Sequence, residues 1–158
     1  GPSRSFAYPG EIIDNFSLGR ASTEALIPKQ TSCVGAINSI IPGMNKKISS
    51  MSFRVPTQIV SSAYICLSFR NKINIKDFLF EIKDFIKKQK NKILTLNKDQ
   101  CISKDFIAND YSTIIDERWI EVKNNNLRLL LWYDNEFGYS SRVIDLIKKI
   151  KINEKIKK

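Results

Sequence analysis

Ser61, Ala63, Ile65, Leu67 and Phe69 recur at every second position, and a few residues later the spacing changes. A period of two is that of a pleated strand with one face turned to a core. From Asn74 onward the apolar residues Phe78, Ile82, Phe85 and Ile86 recur at helical spacing instead. Asn74 suits an N-cap, with Asp77 and Glu81 near the positive end of the helix dipole and Lys87, Lys88 and Lys90 near the negative one. A strand with one apolar face and a helix with one apolar stripe each need a second layer, so the chain is constrained to build both into one core.

The remaining segments fit that frame. Val34, Ile37, Ile40 and Ile41 predict a helix over Ser32 to Ile41, ended by Pro42-Gly43. Met51, Phe53 and Val55 alternate up to Pro56 and predict a strand. Further strands are expected around Lys92 to Leu96, Ser112 to Asp116, Arg118 to Lys123 and Leu127 to Tyr133, the last two joined by Asn124-Asn125-Asn126 as a hairpin turn. A final helix from Phe137 carries Val143, Leu146, Ile147 and Ile150 on one face. Residues 1–19 have no period and contain Pro9-Gly10, which reads as a long surface loop with a turn at that dipeptide. The sum is an α+β fold, a sheet with helices on one face.

At 158 residues the chain has the size of one domain, able to bury roughly 68–70% of its unfolded surface. A composition of 42% hydrophobic and 27% charged residues excludes global disorder, and the longest apolar runs, such as Leu129 to Tyr133, are too short to span a bilayer. Cys33, Cys66 and Cys101 make neither a disulfide framework nor a metal pattern, which points to a reducing compartment, the cytoplasm. The chain has no histidine, so it cannot by itself form a Ser-His-Asp or Cys-His unit or a His-based zinc site. The opening Gly1-Pro2-Ser3, without an initiating Met, is expected to be a cleavage scar or the start of an excised segment.

The net charge of +10 invites a nucleic-acid partner. Half of it, however, lies in residues 148–158, where six lysines face only Glu154, so a solvated basic tail is the favoured reading.

The run Trp132-Tyr133-Asp134-Asn135-Glu136-Phe137-Gly138-Tyr139-Ser140-Ser141-Arg142, with Val143-Ile144-Asp145-Leu146 after it, closely resembles the C-terminal motif of the glyceraldehyde-3-phosphate dehydrogenase family. Met51-Ser52-Phe53-Arg54-Val55-Pro56-Thr57 is similar to that family's G-M-A-F-R-V-P-T strand. Gly19-Arg20, Ile27-Pro28, Thr31 and Ile41-Pro42 keep the spacing of another of its segments, and Ile102 to Phe106 with Ser112-Thr113 and Asp116 that of a further one. The resemblance runs from Gly19 to Leu146. The sister erythrose-4-phosphate dehydrogenase fits the opening loop no worse.

The resemblance implies a mixed, largely antiparallel sheet with helices packed on one face. It divides the chain into an irregular loop at 1–18, the family's C-terminal domain at 19–147 and a basic tail at 148–158. It further implies that Thr31 and Arg54 bind a substrate phosphate or two neighbouring ones, through a hydroxyl and a guanidinium fork. Asn135 would bind the nicotinamide carboxamide of NAD, and Tyr139 would line the same pocket. The family's Gly-rich nucleotide-binding half, its S-C-T-T-N-C nucleophile segment and its base histidine are not among these residues. The family's Ser-Thr-Gly-Ala loop reads Gln30-Thr31-Ser32-Cys33 here, so a serine stands where the backbone would approach phosphate.

Each of these residues also has a plainer reading. Arg54 suits a strand-end ion pair, Asn135 and Glu136 a polar turn capping the last helix, Cys33 a small buried hydrophobe, and Trp132, Phe53 and Phe137 the core.

Three classes of function follow. The first is the substrate-binding C-terminal part of an NAD-dependent phosphorylating aldehyde dehydrogenase, acting on a sugar-phosphate aldehyde and phosphate and inert as these 158 residues alone. The second is a repurposed, non-catalytic module that binds a protein partner, which includes self-association or docking of a missing N-terminal domain. The third, nucleic-acid binding, is the least favoured.

Overall fold

The computed structural model describes residues 25–156, which belong to two compact units divided between Gln58 and Ile59. The expected opening loop and its Pro9-Gly10 turn lie outside the described residues.

In the first unit, strand β1 (Ile27–Lys29) pairs antiparallel with β2 (Ser52–Arg54), with Ile27 opposite Arg54 and Lys29 opposite Ser52. Helix α1 (Cys33–Ile40) lies between them in sequence and is followed by a 3-10 turn, Met44–Lys46. The sequence reading had no strand at Ile27–Lys29. Three residues with a central proline give no alternation to detect, and only pairing with β2 makes them a strand. Gly43 enters the 3-10 turn at φ +86°, and its N–H is received by the Asn38 side chain at 3.0 Å.

The second unit holds the sheet. Its strands are β3 (Ser61–Ser68), β4 (Leu94–Asn97), β5 (Thr113–Asp116), β6 (Glu121–Lys123) and β7 (Asn126–Tyr133), in the order β3-β7-β5-β4, with β6 also pairing β7. Only β4 and β5 run parallel; the other pairings are antiparallel. The fold is therefore α+β, with a mixed, mostly antiparallel sheet and three helices among the described residues, as expected. β7 is central because β3 takes one edge along its whole length, while β5 and β6 share the other.

The two faces of the sheet carry separate cores. Ile115, Leu127 and Leu129 point to the face covered by Phe78 and Ile82 of helix α2 (Ile75–Lys88). Of the two opening periodicities, that of α2 meets the sheet here, on residues of β5 and β7 and not of β3. Asn74 caps α2 by accepting the Lys76 N–H at 2.8 Å. Ile114, one residue along β5 from Ile115, faces the other way and meets Val60 and Phe106.

Two expectations are corrected here. Arg118 and Trp119 are not in a strand: Glu117–Trp119 is a 3-10 turn, because the Asp116 side chain accepts the Arg118 N–H at 3.2 Å and turns the chain before β6 begins. The hairpin turn is Asn124-Asn125 alone, at φ +49° and +59°, since Asn126 already pairs with Lys123. Two consecutive positive φ angles define the turn that suits the twist of a hairpin, and asparagine tolerates them.

Helix α3 (Asn135–Ile156) starts two residues before the expected Phe137 and continues through much of the lysine-rich run. Its inward face is Gly138, Ser141, Arg142 and Asp145, and not the apolar stripe. Val143, Leu146, Ile147 and Ile150 are all exposed, Leu146 to 58%. The periodicity identified the stripe, and the small and charged side of the helix is the one turned inward.

Candidate functional site

Two places concentrate the residues singled out by the sequence, one in each unit. In the first, the ribbon of β1 and β2 holds Arg54. Residues facing each other across an antiparallel pair share a face, as do positions two apart along a strand. Arg54 therefore stands on the same face as Ile27 and Lys29, so two cations share one side of the ribbon. Thr31 lies two residues past Lys29, while Arg54 is at the opposite end of the ribbon, four residues or at most about 13 Å of extended chain away. Thr31 Oγ1 accepts the Cys33 N–H at 3.3 Å at the start of α1, which leaves its O–H to donate. Cys33 is exposed and not a buried hydrophobe, because it begins α1 on an outward position. Phe53 is exposed as well and so is not core.

The second place is the joint between β7 and α3. Asp134 is only 4% exposed and does most of the local work. Its Oδ1 accepts the N–H groups of Glu136 and Phe137 at 3.0 and 2.9 Å, which caps α3, and its Oδ2 accepts the Ala108 N–H at 2.9 Å. The cap is thus Asp134, and the reading of Asn135 and Glu136 as the capping turn is corrected. The signal was available: an aspartate directly before a helical segment is an N-cap pattern.

With the cap supplied by its neighbour, Asn135 is the exposed first residue of α3, and its Nδ2 donates to Ser61 Oγ at 2.9 Å. Tyr139 is four residues on, shares that helix face and is 72% exposed. Gly138 sits where α3 passes closest to the chain before β5: a Cβ there would lie 3.2 Å from the Tyr111 carbonyl oxygen. Arg142 ties the next turn down, donating to the Lys92 carbonyl and to Ser112 Oγ and pairing with Asp145. An open depression of about 260 Å³ beside the joint is lined by Ile59, Ile107, Phe137, Asp134 and Ser140, among others, and not by Asn135 or Tyr139. Phe137, at 45% exposure, faces this depression and not the core.

A buried ionic group braces β7 just before the joint. The Asp116 carboxylate is fully buried and takes Arg118 Nη2 at 2.6 Å, Arg118 Nε at 2.8 Å and the Trp132 indole N–H at 3.1 Å. The Arg118 hydrogen bonds hold its pKa below the ordinary carboxylate value against the opposing effect of burial. Trp132 also stacks on Phe106 at 5.5 Å. Sequence reasoning read Asp116 as a strand end and Trp132 as core, and it missed the group they form, since nothing in their spacing says that Arg118 folds back on Asp116. Among the described residues no cluster of His, Cys, Asp or Glu could hold a metal ion, and no helix is long and apolar enough to cross a membrane.

Mixed sheet, α2 over one face and the Asp134-capped joint leading into α3 define the class: an α+β domain that carries exposed polar residues at a strand-to-helix joint. The chain belongs to the family described as glyceraldehyde 3-phosphate dehydrogenase, C-terminal domain, whose family model matches residues 5–135. It is 38% identical over 130 residues to a cytosolic glyceraldehyde-3-phosphate dehydrogenase of Ranunculus acris, covering 82% of this chain and 38% of that protein. To the cytosolic enzyme of Nicotiana tabacum it is 37% identical over 139 residues, 87% of this chain and 43% of the relative. To glyceraldehyde-3-phosphate dehydrogenase of Schistosoma mansoni it is 35% identical over 149 residues, 90% and 44%. The chain spans about two fifths of the length of these relatives.

Proposed function

We propose that the chain is the substrate-phosphate-binding C-terminal part of an NAD-dependent glyceraldehyde-3-phosphate dehydrogenase and is inert as these 158 residues alone. The observation that carries this reading is the shared ribbon face of Lys29 and Arg54, with the Thr31 hydroxyl just beyond it. Two cations and a hydroxyl donor make a surface for a phosphoryl group, and the guanidinium fork adds paired donors. Their spread along the ribbon suits two neighbouring phosphates better than one, in keeping with a reaction that takes both a sugar phosphate and inorganic phosphate.

The joint fits one end of NAD. The Asn135 amide is exposed, and its Oδ1 accepts no hydrogen bond among the described residues, so it can receive the N–H of a carboxamide. Tyr139, on the same helix face, would flank the ring. When bound, NAD would supply the hydride acceptor; the chain's own residues hold the carboxamide and fix the ring face. The sequence has no histidine to act as base and no S-C-T-T-N-C segment, so a longer protein must contribute both. We place residues 19–147 as the domain proper and the working compartment as the cytoplasm, on the unpaired cysteines and the cytosolic relatives.

A second reading, a protein-interaction module, is favoured by the outward apolar residues of α3. In it, a second copy of the chain covers that stripe.

The test of the first reading is a titration with inorganic phosphate followed by the amide resonances of Thr31, Cys33 and Arg54. These resonances should move in the wild type and should not in Arg54→Ala. A response spread over the lysines of α2 and α3 and absent from this ribbon overturns it.

A further inference from the structure

We propose that Ser61 is a positioning residue: it locks the Asn135 amide so that the joint offers an acceptor, and not a donor, to whatever docks there. The inference rests on the nicotinamide reading of Asn135 and deepens it. Ser61 opens β3, is 2% exposed and is held in register opposite Tyr133, so its hydroxyl cannot wander. Asn135 is equally fixed at the backbone, because Asp134 caps the turn that follows and accepts the Gly138 N–H through its own carbonyl at 3.0 Å.

Between these two fixed points the Asn135 side chain retains only its own torsions, and the Nδ2 to Ser61 Oγ bond at 2.9 Å removes them. The two ends of a planar amide point apart. Committing Nδ2 to the buried hydroxyl therefore aims Oδ1 outward. An outward acceptor recognises an amide N–H, and it repels a carboxylate, which in its ionised form carries only acceptors. The site should thus select a carboxamide over the matching acid. Without Ser61 the amide can roll over and present either end, and the discrimination disappears.

The test uses the 158-residue chain with assigned Asn135 side-chain amide resonances, and nicotinamide and nicotinate as probes. In the wild type the Asn135 side-chain protons should exchange with water slowly, and Ser61→Ala should speed exchange about fivefold, the weight of one ordinary hydrogen bond. Ser61→Thr, which keeps the hydroxyl, should restore it. Nicotinamide should shift the Asn135 resonances of the wild type and of Ser61→Thr, nicotinate should not, and Ser61→Ala should lose the difference. Should Ser61→Ala fail to fold, Asn135→Asp removes the donor by changing the exposed partner instead; the Ser61 Cβ resonance must then move.

Equal exchange in wild type and Ser61→Ala, an unmoved Ser61 resonance in Asn135→Asp, or a wild type that prefers nicotinate overturns the positioning role. A retained exchange effect with no response to nicotinamide in any form instead overturns the nicotinamide reading, and with it any recognition role for Ser61.

Discussion

Asp116 shows how a single buried charge can be worth keeping. Removing it by Asp116→Ala leaves the Trp132 indole N–H without a partner in the interior, whereas Arg118, part exposed, can turn to water. The expected loss is about 1–3 kcal/mol, read by urea denaturation at neutral pH. The pH dependence has a definite sign. The folded Asp116 carboxyl is more acidic than the ordinary value of 3.8, so its stabilisation is present above that value and is lost as pH falls through the depressed one. The wild type should therefore lose more stability on acidification than Asp116→Ala does, and parallel curves for the two would count against the assignment.

Gly138 presents the opposite case, since helix propensity alone favours alanine there by about 1 kcal/mol. The Tyr111 carbonyl is backbone, flanked by the Tyr111 N–H bond to Asn109 and the Ser112 N–H bond to Lys92, and has little freedom to retreat from a Cβ at 3.2 Å. Overpacking of this kind costs about 1–3 kcal/mol, so Gly138→Ala should lower the melting temperature and not raise it.

At the scale of elements, α2 and α3 follow different rules. α2 follows its sequence: cap, acidic start and basic end agree, Lys88 pairs with Asp84 at 2.6 Å, and Phe78 and Ile82 of the stripe meet the sheet while Phe85 stays 48% exposed. Gln89 then fastens the exit, accepting the N–H groups of Ile93 and Leu94 and donating to the Leu94 carbonyl. α3 is attached instead through a glycine and an arginine, which leaves Val143, Ile147 and Ile150 outward. Large apolar side chains left in water forgo roughly 1.5–3 kcal/mol each, and this is what would drive a second copy onto the stripe. Light scattering should report a dimer or larger species for the wild type and a monomer for the Val143→Ser, Ile147→Ser double variant. A strictly monomeric wild type removes the stripe as a self-association surface.

For the whole molecule, the decisive facts are which parts of a dehydrogenase these residues can supply. On the proposed reading they offer a ribbon for phosphate and one end of a nicotinamide site, and the resemblance leaves the adenosine and pyrophosphate sites, the nucleophile and the base to residues not found in this sequence. Calorimetry of the isolated chain with NAD should accordingly find no dissociation constant below about 10 µM, which corresponds to roughly 6.8 kcal/mol. Tighter binding, or reduction of NAD with an aldehyde phosphate, would show that the 158 residues hold more of the active site than proposed.

Periodicity alone determined α2 and β3, because their apolar spacing is long and regular enough to admit one conformation each. Motif letters singled out Thr31, Arg54, Asn135 and Tyr139 for the proposed site, because recognition chemistry of that kind needs those groups whatever surrounds them. The rest is decided between residues distant in sequence: a three-residue β1 exists only by pairing with β2, Ser61 meets Asn135 across the sheet, and the inward side of α3 is set by Gly138 against Tyr111 and by Arg142 against Lys92. Local spacing cannot encode those contacts, since each depends on where another element arrives, and only the assembled sheet fixes that.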